Sequence, residues 1–500
     1  MNFKQFLKNQ LERKPYFLVL IPLFLLIHIE QEFQFMIPYR FVYKEIIELL
    51  LVPLIIYILN YFLFRDKLKS SMYTAVLLIA FYFFCDLKDW LHTHQPGLFI
   101  SKYTFLLPLL AVVLLATYWW IKNNKGSLAN GFLFLNGIFF LFIVSDIIPI
   151  LIRSSPEKND LGDHNKALSG KYIPCSDCIK PDIYYIIADA YSSSGVLKHT
   201  FNYDNQPLDS FLRQNHFYII NNSKSNYNLT PFSIASTFNM DYLPMLDYHR
   251  DVYIKEYLAA ESSVYSSEIF PILAKEGYQI LNYSPFNIKG YPTHIEQFDM
   301  CDTYLLYTRH NIFKKINRDI GWLIRQTLGL KHSYQIDPEY IEKKDIHFLK
   351  TATALLSISQ NQSLKPRFIY GHLLLPHLPS GLDSAGNKSK ISGNIINKER
   401  YLEMVSLARN KLIPIVQSIM KNSRRPIVII IQGDHGYRSP EMKNKQLEFP
   451  NLNAMYFYNQ DYRLLNDSLS NVNSFRVIFN SFFKKNYPLL QDKSYFLQYK

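Results

Sequence analysis

The sequence predicts an α/β protein in two parts: five transmembrane helices, then a mainly parallel central sheet covered by helices on both faces. Three observations carry this. Almost every long apolar run lies before residue 153, whereas later ones are short, rich in β-branched and aromatic residues, and divided by polar turns. The short runs alternate with stretches of helical period, as strands joined by crossover helices do. Several also end in Asp or His just past the last apolar residue, and parallel sheets gather functional groups at their carboxyl ends.

The apolar segments fall at about 16–34, 46–64, 71–89, 103–121 and 131–152. The second, fourth and fifth are long enough to cross a hydrocarbon core of about 30 Å; the first and third have shorter apolar cores. Because further spans follow it, the first reads as a retained helix rather than a cleaved leader. The basic residues of the connections set the orientation. Lys4, Lys8, Arg13, Lys14, Arg65, Lys67, Lys69, Lys122 and Lys125 lie on one side, against Arg40, Lys44, Lys88 and Lys102 on the other. That places the N-terminus in the cytoplasm and, after five crossings, everything beyond residue 153 outside it. Glu48, Asp86 and Asp146 lie in or near the spans and read as interfacial anchors rather than an ion path. A linker is expected over 153–180, where polar residues show no apolar period, and a catalytic domain over 181–500.

The net charge of +13 comes without zinc-finger spacing, an RNA-binding signature or a basic helix. Membrane-surface and phosphate attraction therefore explain it better than nucleic acid. Four cysteines are too few for a disulfide-built fold. Cys175 and Cys178 form a C-x-x-C without an adjacent thioredoxin pattern, which leaves a small disulfide loop or two idle thiols.

Strands are expected in PDIYYIIADAY (181–191), GYQILNYSP (277–285), PRFIYGHLLLPH (366–377), PIVIIIQGDHG (426–436) and NLNAMYFY (451–458). Between them, IEKKDIHFLKTATALLSISQ and NKERYLEMVSLARNKLIPIVQSIM read as helices. The first strand ends at Asp189, the fourth runs into Asp434 and His435, and the third leads to His372 and His377. Taken singly, Asp189 is a helix cap and His435 a turn residue. Together, two carboxylates and an imidazole on neighbouring strand ends suit a divalent metal. Thr230 precedes a short apolar helix, where its hydroxyl meets the positive end of the dipole. Locally that is an N-cap; beside a metal it is a nucleophile.

In this order, PDIYYIIADAY, NLTPFSIAS, GHLLLPHLP and GDHG followed by NLNAMYF resemble the alkaline phosphatase/sulfatase superfamily. The match is to its sulfatase-like membrane transferases, such as lipoteichoic acid synthases and lipid A phosphoethanolamine transferases. It covers residues 181 to about 460 and implies an alkaline-phosphatase-like domain outside the cytoplasm, at a bacterial inner membrane. By this resemblance Asp189 is the first acidic metal ligand, Thr230 the metal-contacting nucleophile, and Asp434 and His435 the paired ligands of the last motif. His377 contacts the substrate phosphate, His372 acts less directly, and Arg438 meets either a phosphate or a carboxylate. The metal is one divalent ion, manganese or zinc. Thr230-Pro231-Phe232-Ser233-Ile234 has neither the cysteine or serine nor the arginine of the formylglycine motif, which points away from sulfate ester hydrolysis. Asp189 stands where the transferases generally carry Glu.

The resemblance implies a membrane phospholipid donor of phosphoethanolamine or phosphoglycerol type and an envelope glycan or lipid acceptor. Two other readings share the sequence. One is a phosphodiesterase or phosphatase with water as acceptor; the other is a membrane-anchored assembly scaffold without catalysis.

Overall fold

The computed structural model describes residues 3–498 apart from 34–36, 38, 96, 153–165, 244–250, 297, 301–303, 328–337, 390–395 and 440–442. The chain divides into two compact units. Met1–Pro156 and Asp302–Ser333 form unit 1; Glu157–Cys301 and Tyr334–Lys500 form unit 2. The linker expected over 153–180 lies outside the described residues as far as 165, and Lys166–Gly170 form one short helical turn.

Unit 1 is built on α1 (Phe17–Phe33), α2 (Tyr39–Phe64), α3 (Lys67–His94), α4 (Tyr103–Asn123) and α5 (Ala129–Ile152). Among the described residues four helices, Val42–Phe64, Lys67–His94, Tyr103–Asn123 and Ala129–Ile152, are long and apolar enough to cross a membrane. The expected fifth, α1, has 17 residues, which at 1.5 Å per residue falls short of a 30 Å core by about one turn. Its Phe17, Ile21, Leu25, Ile29 and Phe33 recur every four residues and are buried, so α1 packs as one stripe. Asn136 of α5 holds its start: the amide oxygen accepts from Phe17 N (2.7 Å), while Nδ2 donates to Leu11 O and Lys14 O (2.8 Å each). Those backbone groups have no partner within a helix at its ends. Asp66 caps α3 by accepting from Leu68 N and Lys69 N.

Unit 2 contains a six-stranded sheet, β1 (Asp182–Ala188), β2 (Tyr218–Ile219), β3 (Gln279–Tyr283), β4 (Arg367–Leu373), β5 (Ile427–Gln432) and β6 (Asn453–Phe457). Its order is β2-β6-β5-β1-β4-β3, with β1, β3, β4 and β5 parallel and β6 antiparallel to its neighbours. All five expected strands are present. The edge strand β2 escapes sequence reading because two residues cannot display a period.

Every residue of β1 is buried. Ile183, Tyr185 and Ile187 enter one core layer with Phe232, Phe238, Phe270 and Phe475; Tyr184, Ile186 and Ala188 enter the other with Phe348, Leu355, Tyr401 and Leu412. Strands covered on both faces need apolar residues at every position, hence the unbroken runs. At the amino end of β1, Asp182 takes three hydrogen bonds from Arg367, from the backbone N (2.9 Å), Nε (3.0 Å) and Nη2 (2.8 Å). Cys175 and Cys178 are disulfide-bonded.

Candidate active site

The strand register sets out the site. Ile187 lies opposite His372 on β4 and Gln432 on β5, so Asp189, two residues on, emerges between both neighbours. The turn beyond Asp189 is held tightly. Ala190 has φ +63°, a left-handed value that non-glycine residues adopt only when held there. Its N–H donates to Asp434 Oδ1 (2.9 Å), and its carbonyl accepts from Tyr401 OH (2.9 Å). The Asp434 loop lies against this turn: a Cβ on Gly433 would meet Tyr191 O at 2.5 Å, so only glycine fits.

Thr230 opens the helix Thr230–Asn239, whose N-cap residue is Leu229, with no side-chain cap. Its hydroxyl therefore does not act as a cap; Oγ1 lies 3.3 Å from His435 Nε2. Ser233, one turn on, donates to Asp434 O (2.6 Å) and ties this helix to the β5 loop.

His435 is oriented by Gly436, whose carbonyl is 2.7 Å from Nδ1. A carbonyl only accepts, so the proton sits on Nδ1 and the Nε2 lone pair faces the site. Nε2 lies 3.6 Å from Asp189 Oδ1 and 3.5 Å from Asp434 Oδ2. His372 Nδ1 is 2.8 Å from Tyr370 OH, and its Nε2 lies 3.8 Å from Asp189 Oδ2. Asp189 Oδ1, Asp434 Oδ2 and His372 Nε2 are all buried without a hydrogen-bond partner. Buried polar atoms are costly when unsatisfied, and a cation among these three would satisfy them together. Ligand atoms of Asp189, His372 and Asp434 lie within 4.8 Å of one another, as do those of Asp189, His377 and His435. Two carboxylates with imidazoles suit zinc or manganese, so the residues fit a divalent ion. Burial would raise the Asp189 carboxyl, but the surrounding His377, His372 and His435 hold it well below the usual carboxylate range.

On another side of the site is a group of cations. His377 donates its backbone N–H to Asp189 O (2.9 Å), and its ring Nε2 lies 2.8 Å from Arg438 Nη2. Lys344, from the helix Pro338–Gln360, donates to His377 O and to Pro379 O (3.0 Å), with Nζ 3.4 Å from His377 Nδ1. Burial, then the charges of Lys344, Arg438 and His435, hold His377 well below the ordinary imidazole value, against the pull of Asp189. Burial likewise brings Lys344 down to about 8. A neutral imidazole flanked by two cations, beside the metal-suited groups, can receive an anion.

All seven residues singled out in the sequence thus come together: Asp189, Thr230, Asp434 and His435 in the centre, His372 and His377 around them, and Arg438 on His377. Lys344 was missed. Its signal was helical phase: Ile341, Lys344, Asp345 and Phe348 are all buried, at spacings of three and four, while Lys343 beside it is 62% exposed.

The helix-covered sheet, with carboxylates and imidazoles past its strand ends, belongs to a chain that also carries helices long and apolar enough to cross a membrane. No family model and no curated protein matches the chain. Among solved structures it is similar to the C-terminal periplasmic domain of EcEptC from Escherichia coli, at 10% identity over 65% of this chain and 93% of that one, with a TM-score of 0.38. It is also similar to the integral membrane lipooligosaccharide phosphoethanolamine transferase A from Neisseria meningitidis (12% identity, 84% and 88% covered, TM-score 0.34). A third likeness is to an alkaline phosphatase superfamily protein from Vibrio parahaemolyticus (12%, 62% and 68%, TM-score 0.36). Likenesses this distant assign no chemistry; that rests on the geometry above.

Proposed function

We propose that unit 2 is a metal-dependent transferase that moves the headgroup phosphate of a membrane phospholipid, of phosphoethanolamine or phosphoglycerol type, through Thr230 to an envelope glycan or lipid. The observation that carries this is the Thr230 hydroxyl, 3.3 Å from His435 Nε2 and beside the unpartnered oxygens of Asp189 and Asp434. A buried hydroxyl at a helix N-terminus, among groups that would hold a divalent ion, is set up as a nucleophile.

Asp189, Asp434, His435 and His372 would hold the ion. When bound there it lowers the pKa of the neighbouring hydroxyl and offsets charge on phosphoryl oxygens. Arg438, Lys344 and His377 receive the donor phosphate and orient its phosphorus toward Thr230 Oγ1. As the Oγ1–P bond forms, the hydroxyl gives up its proton; the P–O bond to diacylglycerol breaks, and that oxygen takes up a proton. The headgroup stays on Thr230 as a phosphodiester. The acceptor hydroxyl then attacks the same phosphorus, its proton leaves, and Thr230 recovers one. In this reading the apolar helices of unit 1 anchor the chain in a bacterial cytoplasmic membrane and unit 2 works on the periplasmic side, where lipid donors are concentrated.

The test is mass spectrometry of the Thr230 peptide from full-length protein loaded with zinc or manganese and incubated with mixed phospholipids. A headgroup-phosphate adduct, absent from Thr230→Ala, is expected, and its mass names the donor. Lipid turnover without an adduct would favour direct hydrolysis; no adduct, metal or turnover would favour a scaffold.

A further inference from the structure

The segment Asp302–Ser333 leaves unit 2 in sequence and returns to it, yet it clusters with the apolar helices of unit 1. Its contacts there are specific. Tyr307 OH donates to Glu30 (3.0 Å), Arg309 to Glu32 (2.5 Å), Asn311 to Glu48 (2.8 Å), and Tyr103 OH to Asp319 (2.7 Å). Lys314 pairs with Glu48 (2.6 Å), Lys315 with Asp89 (3.0 Å), and His310 with Asp86 (3.1 Å). The carboxylates expected to be interfacial anchors thus include two, Glu48 and Asp86, with partners in this segment; the third, Asp146, pairs with His28 (3.0 Å).

These contacts share one level. The charge-free run of α2 begins after Glu48, that of α3 ends before Asp86, and that of α4 begins at Tyr103. The segment meets all three helices at the border between charged and apolar sequence, at the bundle end from which the chain leaves at Ile152. Just below its charged contacts it is apolar. Ile312 is buried with Phe84, Cys85 and Leu106, Ile316 packs against them, and the Phe313 ring lies 5.8 Å from that of Phe81. Yet Phe313 is 73% exposed and Leu323 48%. Lys314, Lys315 and Arg318 are all within ion-pair distance of carboxylates of unit 1. Among the described residues the helix thus exposes Phe313 and Leu323 together with Lys314, Asn317 and Arg318, apolar rings and chains beside polar heads.

We propose that Asp302–Ser333 is a second membrane anchor, its helix Ile312–Thr327 lying along the lipid–water boundary with Phe313 and Leu323 among the phospholipid chains. An amphipathic helix in that position buries its apolar side chains in the bilayer edge while its polar groups stay at headgroup level. The partner is a phospholipid surface, and insertion relies on apolar area, so it resists salt. The chain then meets the membrane twice, through the helices of Met1–Pro156 and again through Asp302–Ser333.

The test uses full-length protein in phosphatidylcholine vesicles. Phe313→Cys and Leu323→Cys, each in a Cys301→Ser background, are labelled with an environment-sensitive fluorophore; Leu364→Cys, fully exposed in unit 2, is the water reference. The expected result is blue-shifted emission from both helix positions, unchanged at 1 M sodium chloride and strongly quenched by lipids with brominated chains, with Leu364→Cys unaffected. Water-like emission at both positions would overturn the proposal. So would blue-shifted emission that brominated lipids leave untouched while Phe313→Cys cross-links between copies, since the occupant would then be a second chain.

Discussion

At the scale of single residues, the site turns on groups whose partners are missing or fixed. Gly436 O fixes the His435 tautomer, and Thr230 makes no cap, so both atoms face the unpartnered carboxylate oxygens. We expect Thr230→Ala to reduce headgroup transfer by at least about a thousandfold while metal content, read by elemental analysis, stays near wild type. Asp434→Asn should lose the metal as well as activity, because it removes a charge from the donor set. Lys344→Met is expected to cost about 1–3 kcal/mol, since the carbonyls of His377 and Pro379 would each lose a buried donor. Thermal unfolding reads that loss, and a raised KM for the lipid donor should accompany it. Asp189, Asp434 and His435 were legible because a polar residue that ends an apolar strand stands out. Lys344 was hidden among like residues in IEKKD, and the capping role that Thr230's position suggests is taken by no side chain.

At the scale of elements, long runs were legible and tight approaches were not. A fully buried strand such as β1 or β5 declares itself by six or five unbroken apolar residues. Nothing local says that Gly433 must pass within 2.5 Å (from a would-be Cβ) of Tyr191 O, a contact between β1 and β5 loops more than two hundred residues apart. Because that neighbour is backbone, Gly433→Ala can be relieved only by moving one of the two loops that carry Asp189 and Asp434. The expected outcome is about 1–3 kcal/mol of destabilisation and weakened metal affinity, measured by calorimetric titration. Unaltered affinity would show that the loops yield without moving the donors.

At the scale of the molecule, two units imply two stabilities. Zinc bound by Asp189, Asp434 and the imidazoles of unit 2 should stabilise that unit alone, by about 4 kcal/mol at a thousand times Kd. Differential scanning calorimetry of the whole chain in detergent should show one transition moved up by metal and returned by chelator, with the other unmoved. A common shift of both would mean that the units unfold together.

Two kinds of information separate here. Hydropathy, strand periodicity and the order of four short motifs lie along the chain, so the sequence by itself determined the apolar helices, five of the six described strands and the seven residues that gather past the strand ends. Whether those residues meet depends on strand register, and which atoms lack partners depends on packing from both sheet faces; neither is a local property. The tertiary structure alone decided the placement of Lys344 against His377, the approach of the Thr230 hydroxyl to His435 and the association of Asp302–Ser333 with unit 1. Each depends on contacts between residues far apart in sequence, whose free energy arises only once the elements have docked.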